Sequence, residues 1–167
     1  MQYGICNLSI IPVRIEQNDA SEMVTQLLFG EHFKVLEAQK KWSKIRNAFD
    51  NYEGWIDNKQ YEQITEEAYS KLENSTFPLA ADLIDFATDE KGQFSTVCIG
   101  SNLPFYKNQN LILNTTKFHY EGEIFTKKLP KDSIIEIAYK FLNTPYLWGG
   151  KTPFGIDCSG FTQMVYK

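Results

Sequence analysis

The stretch Thr144-Pro145-Tyr146-Leu147-Trp148-Gly149-Gly150-Lys151-Thr152-Pro153-Phe154-Gly155-Ile156-Asp157-Cys158-Ser159-Gly160-Phe161 decides the reading of this chain. Glycines at 149, 150 and 155 and prolines at 145 and 153 predict a Gly-rich loop rather than a regular element. Asp157 is a good N-cap residue, so a helix is expected to start near Cys158 and to carry Phe161, Met164 and Val165 inward. A thiol in that first turn faces unsatisfied backbone N–H groups and the positive end of the helix dipole, a position that favours a thiolate nucleophile. Taken alone, Asp157-Cys158-Ser159-Gly160 has a plain alternative, a buried and inert Cys at a helix start.

Upstream, Lys131-Asp132-Ser133 opens another helix, and Ser133 followed by Glu136 has capping-box spacing. Ile134, Ile135, Ala138, Phe141 and Leu142 are assigned to its apolar face, and Asn143-Thr144-Pro145 stops it. Between 79 and 128, strand-like runs (Leu83-Ile84-Asp85-Phe86, Ser95 to Ile99, Leu111-Ile112-Leu113) are broken by Asp89-Glu90-Lys91-Gly92 and Ser101-Asn102. Tyr61, Ile64, Ala68 and Leu72 have helical spacing, with Glu66 and Glu67 in the first turn. The first sixty residues read as short strands with turns at Asn18-Asp19, Gly30-Glu31 and Asp50-Asn51, which suggests a small barrel. Phe33, Trp42, Trp55 and Tyr61 are expected in its core rather than on a sugar-stacking face.

The chain has 167 residues, 43% hydrophobic and 23% charged, which fits folded modules and excludes wholesale disorder. Twelve Phe, nine Tyr and three Trp can fill cores in small modules. No apolar run approaches the roughly 18 residues of a membrane span. A net charge of −4 argues against a nucleic-acid partner or an anionic membrane surface. Three widely spaced cysteines, Cys6, Cys98 and Cys158, argue against a disulfide framework and a zinc site. Gly149-Gly150 lacks the Lys-Ser/Thr of a phosphate loop. No cofactor or metal is expected. Met1 to Cys6 has no basic region leading into an apolar stretch, so a cytoplasmic location is expected.

Residues 132–167 resemble the front of the NlpC/P60 cysteine peptidases. That resemblance implies the first helices of an α+β papain-like domain, with Cys158 as the nucleophile. Val13-Arg14, Trp42-x-Lys44-Ile45 and Gly54-Trp55-Ile56 resemble a bacterial SH3 (SH3b) module. The expected organisation is an SH3b module over 1–60, a linker helix over 61–78, a divergent second SH3b over 79–128, and an NlpC/P60 portion over 129–167. The fold class is therefore mainly β, small SH3b-like barrels followed by helices. Two SH3b modules ahead of NlpC/P60 resemble the YkfC-type γ-D-glutamyl-L-diamino acid endopeptidases, which recycle murein peptides bearing a free N-terminal L-Ala. By that resemblance Tyr146 would lie near the thiolate and the reacting carbonyl, and Asp157 and Ser159 would face substrate. Asp157 would accept the L-Ala ammonium, with Glu22 and Tyr52 closing the pocket. The plain alternatives are a solvated loop acid for Glu22 and an ordinary barrel aromatic for Tyr52.

The family's base is a His well downstream of the Cys, and here nine residues follow Cys158. The two histidines, His32 and His119, stand in no family motif. The expected activity, hydrolysis of the γ-D-Glu to L-diamino acid bond, is therefore that of a longer parent enzyme, and the 167-residue chain is expected to be inactive. The alternatives are a non-catalytic SH3b protein bound to peptidoglycan and a peptidase acting on intact wall.

Overall fold

The computed structural model describes residues 2–167. Seven antiparallel strands open it: β1 (Gln2–Ile5), β2 (Ile10–Arg14), β3 (Met23–Leu28), β4 (His32–Ala38), β5 (Trp42–Asn47), β6 (Glu53–Asp57) and β7 (Glu62–Ile64), in the order β3-β2-β6-β5-β4-β1-β7. The alternation of side chains sets the faces. In β5, Ser43, Ile45 and Asn47 are buried while Trp42 and Lys44 are half-buried and Arg46 is exposed. In β6, Gly54 and Ile56 are buried, and Trp55 pairs with Lys44 across the ladder. Phe33 lies in the core with Ile11, Val13, Leu27, Val35, Ile45 and Ile56, and Tyr61 packs against it. Trp42 and Trp55 do not. They occupy the opposite parity from Ile45 and Ile56, so the pleat turns them to the outer face, against expectation.

Helix α1 spans Glu66–Glu73, and the Thr65 side chain caps it by accepting the Ala68 N–H at 3.1 Å. The helical spacing seen from Tyr61 onward crosses a strand–helix boundary. Ile64 instead pairs with Tyr3, which extends the sheet by one strand, and only Tyr69 and Leu72 give α1 its buried face.

Six further strands follow: β8 (Leu79–Ala80), β9 (Ile84–Asp89), β10 (Phe94–Cys98), β11 (Asn110–Leu113), β12 (Thr116–His119) and β13 (Ile124–Phe125). They form a four-stranded sheet, β10-β9-β12-β11, and a β13-β8 pair. Ala87, Val97, Leu111, Leu113, Phe118 and Tyr120 from this region share one core with Tyr3, Ile5, Phe29, Ile64, Tyr69 and Leu72.

The last segment contains α2 (Ser133–Lys140), the hairpin β14 (Lys151–Thr152) and β15 (Gly155–Ile156), and α3 (Cys158–Tyr166). The capping box at Ser133 does not form. Asp132 is the N-cap, no side chain caps the helix, and the amides of Ser133 and Ile134 instead meet the carbonyls of Pro130 and Lys131. The buried face of α2 also differs from the expected one. Ile137 and Phe141 are buried, whereas Ile135 and Leu142 are about two-thirds exposed, at 63% and 66%. In α3, Met164 is buried and Val165 half-buried, while Phe161 stays on the surface. Ile137, Phe141, Ile156 and Met164 pack with Leu28 of the first sheet and Ile99 just after β10 of the second. This third core seats the Cys158 segment at the junction of the two β regions.

Candidate active site

Asp157 organises the site. Its backbone is extended, and its side chain caps α3. One carboxylate oxygen accepts from the Gly160 N–H at 2.7 Å and the Ser159 hydroxyl at 2.8 Å. The other accepts from the Gly149 N–H at 2.8 Å, which ties the Gly-rich loop to the helix start. Burial acts to raise this carboxyl's pKa, but the Gly160, Ser159 and Gly149 donors outweigh it and hold the group below the usual aspartate value. Cys158, the first residue of α3, is exposed rather than buried. Cys6 and Cys98, by contrast, are buried, and burial pushes the Cys98 thiol up to about 11.

The loop before the hairpin is fixed by backbone contacts. Ile156 donates its N–H to the Pro145 carbonyl at 3.0 Å, and Leu147 donates to the Ile156 carbonyl at 3.2 Å. Tyr146 thereby forms a parallel bridge with Ile156, two residues before Cys158, and its side chain is 68% exposed. Ten positions of sequence separation become a backbone bridge. Gly149 has φ +72°, and a Cβ there would lie 2.3 Å from the Met23 carbonyl oxygen, so only glycine lets the loop seat on the start of β3. That seating brings Glu22 to the site, where its carboxylate accepts the Trp148 indole N–H at 2.6 Å. A second bond, from the Lys151 N–H to the Gln26 side-chain oxygen at 2.8 Å, fixes the same junction.

The structure therefore gathers Cys158, Asp157, Ser159, Tyr146 and Glu22 around one loop. Ser159 spends its hydroxyl proton on Asp157. Tyr52 lies in the turn between β5 and β6, 41% exposed, with its carbonyl accepting from the Asn47 N–H; among the described hydrogen bonds none joins its side chain to the loop. His32 is buried beside α1, its Nε2 3.0 Å from Glu73, and burial lowers its pKa against the pull of that carboxylate. It lines a cavity of about 220 Å³ together with Lys167, at the far end of α3 from Cys158. At 1.5 Å of rise per residue that is about 13 Å along the helix. His119 lies at the end of β12, paired with Glu121.

Two sets of contacts here carry no sequence signal. Trp148 attracts notice as part of the loop, but its bond to Glu22 spans 126 positions. Glu31 looks like a turn residue after Gly30, yet it is fully buried against Lys151 and Lys167, 120 and 136 positions later.

Comparison with known proteins places two stretches of the chain beside known families. Residues 13–60 match the bacterial dipeptidyl-peptidase SH3 domain, and residues 143–167 match the NlpC/P60 family. A γ-D-glutamyl-L-lysine dipeptidyl-peptidase of Bacillus cereus is 26% identical over 175 aligned positions, covering 89% of this chain and 51% of that protein. The protein of the same name from Bacillus subtilis is 28% identical, over 86% of this chain and 52% of the relative. Protein P54 of Enterococcus faecium is 62% identical over 34 positions, 20% of this chain and 7% of its own length. The chain spans about half the length of the two dipeptidyl-peptidases. Among solved structures, an NlpC/P60 family protein from Bacillus cereus superposes with a TM-score of 0.82 at 18% identity, over 98% of this chain and 71% of that one. An NlpC/P60 endopeptidase from Photobacterium damselae gives 0.77 at 15% identity, over 99% of this chain and 42% of the other. Residues 13–60 are thus similar to a bacterial dipeptidyl-peptidase SH3 domain, and the stretch 143–167, which includes Cys158, is similar to the NlpC/P60 family.

Proposed function

We propose that this chain forms the substrate-recognising and nucleophile-bearing part of a cysteine peptidase that hydrolyses the γ-D-Glu to L-diamino acid bond of murein peptides with a free N-terminal L-Ala. The observation that carries this reading is the docking of the Trp148-Gly149 loop on β3. It sets the Glu22 carboxylate beside the loop that Asp157 ties to the exposed Cys158. The name shared by two relatives, γ-D-glutamyl-L-lysine dipeptidyl-peptidase, supports the bond class. Recycling of released stems in the cytoplasm, without a cofactor, belongs to the same reading.

In the proposed reaction the Cys158 thiolate attacks the γ-carbonyl carbon of D-Glu. Collapse of the tetrahedral adduct breaks the C–N bond, the diamino acid leaves with a proton on its nitrogen, and an L-Ala-γ-D-Glu thioester remains on the sulfur. Water then attacks the thioester and releases the dipeptide and the thiol. The Tyr146 hydroxyl stands near the carbonyl. Glu22, with Tyr52 and Asp157, receives the L-Ala ammonium, and the carboxylates match its charge as it loses water. Asp157 already spends three acceptor contacts on the loop and helix, so Glu22 carries more of that charge.

Proton transfer to the leaving amine needs a general acid. His32 lies with Lys167 at the far end of α3 from Cys158, and His119 sits at the end of β12, so this 167-residue chain is proposed to be inert on its own. The activity is that of a protein with the length of its relatives.

The test uses native full-length protein with L-Ala-γ-D-Glu-L-lysine and its N-acetylated form. The free-amine peptide is expected to be cleaved, and acetylation is expected to lower kcat/KM by about 30-fold or more. That fall matches the roughly 2–5 kcal/mol lost when one side of a buried charge pair is removed. Equal turnover of the two peptides would contradict the ammonium pocket and favour an enzyme acting on intact wall. Peptidoglycan binding without cleavage of either peptide would favour the non-catalytic alternative.

A further inference from the structure

The turn between β3 and β4 places an acid where three parts of the molecule meet. Gly30 has φ +77°, and a Cβ there would lie 2.2 Å from the Asn102 carbonyl oxygen, so the turn lies hard against the second β region. Asn102 donates its N–H to the Phe29 carbonyl at 2.9 Å. The next residue, Glu31, is 0% exposed. One of its carboxylate oxygens accepts the Leu28 N–H at 2.9 Å and faces the Lys151 ammonium at 3.4 Å, and the other accepts from the Lys167 ammonium. Both lysine side chains are almost fully buried.

One carboxylate thus holds the two ends of a single segment. Lys151 opens the hairpin that leads to Asp157, Lys167 follows the last turn of α3, and Cys158 lies between them. Swinging α3 away from the first sheet breaks at least one of these buried pairs, and nothing else charged replaces the carboxylate at the Lys151 ammonium among the described hydrogen bonds. Buried pairs of this kind are costly to break from one side, because the stranded charge stays out of water. Burial acts to raise the Glu31 carboxyl's pKa, but the two ammoniums outweigh it and keep the group ionised at neutral pH.

We propose that Glu31 is a positioning residue. It acts through Lys151 and Lys167 to lock the Cys158 segment onto the SH3 domain, so that the thiol and Glu22 address one substrate. This role rests on the reading of Cys158 as nucleophile, and two separate measurements keep the claims apart.

The first measurement is hydrogen exchange, read by mass spectrometry, on the 167-residue chain. Glu31→Gln is expected to speed exchange in α3 at least tenfold while β5 and β6 stay within threefold of wild type. The triple change Glu31→Gln, Lys151→Met, Lys167→Met removes every charge of the cluster and is expected to restore slow exchange in α3. Where Glu31→Gln alone fails to fold, Lys167→Met is used. It leaves the Glu31–Lys151 pair and is expected to speed exchange in the last turn of α3 only. Uniform acceleration across α3, β5 and β6, or unchanged exchange in α3, would overturn the proposal. The second measurement is kinetic, on native full-length protein. Glu31→Gln is expected to lower kcat at least thirtyfold with KM within threefold, and the triple variant to recover most of kcat. An unchanged kcat despite a loosened α3 would overturn the positioning role. Absence of turnover in wild type would count against the proposed reaction alone and leave the exchange result to decide Glu31.

Discussion

At the scale of single residues, Asp157 shows how much a local signal can disclose. Asp before Cys-Ser-Gly reads as an N-cap because capping is a contact within three residues, and the structure makes that bond to Gly160. The additional bond to Gly149 needed the folded loop and was not legible. The carboxyl's folded pKa is below its unfolded value, since backbone and hydroxyl donors outweigh burial. Its contribution to stability is therefore present above the unfolded aspartate value of about 3.9 and lost as pH falls through the folded value. Acidification below about pH 4 is expected to loosen the start of α3, seen as faster hydrogen exchange there. Asp157→Asn should remove most of that acid sensitivity, and an unchanged acid response in Asp157→Asn would contradict the assignment. Glu31 shows the opposite case. Beside Gly30 it looks like a solvated turn acid, and its two lysine partners are invisible at separations of 120 and 136 residues.

Elements were legible where their signals were periodic and local, and misread at their junctions. The β5–β6 ladder follows from Trp42-x-Lys44-Ile45 and Gly54-Trp55-Ile56, yet which face is buried depends on which neighbour covers the sheet. That is why the sequence points Trp42 and Trp55 inward although they alternate outward. At α1 the apolar spacing ran on into β7, because pairing of Ile64 with Tyr3 is a tertiary choice that spacing does not record. The helix starts give a direct comparison. Thr65 makes its cap bond, so Thr65→Ala is expected to cost about 1 kcal/mol. Ser133 makes none, so Ser133→Ala is expected to stay within about 0.5 kcal/mol of wild type. Urea denaturation of the two variants checks both, and equal losses would contradict the assignment of the caps.

For the whole molecule, two of the three cores draw residues from distant parts of the chain. The likeness of residues 13–60 to an SH3 domain and of residues 143–167 to the NlpC/P60 family is legible because each stretch carries a dense motif, whereas the joint between them is built from residues that no motif marks. Met164 is 5% exposed and packs in the core that contains Leu28, Ile99 and Ile156. Met164→Ala is expected to cost about 2–5 kcal/mol, measured by chemical denaturation, since it empties space where both β regions meet α3. A loss below about 1 kcal/mol would mean that α3 is not held by that core. In the proposed reaction the joint matters because it unites Glu22 from the first sheet's side with Cys158 from the other. The central claim is that this shared site acylates Cys158, and rapid-quench peptide mass spectrometry of native full-length protein mixed with L-Ala-γ-D-Glu-L-lysine tests it most directly. The expected result is a transient L-Ala-γ-D-Glu adduct on the peptide containing Cys158, with no adduct and no released lysine in Cys158→Ala. Continued release of lysine by Cys158→Ala would contradict it.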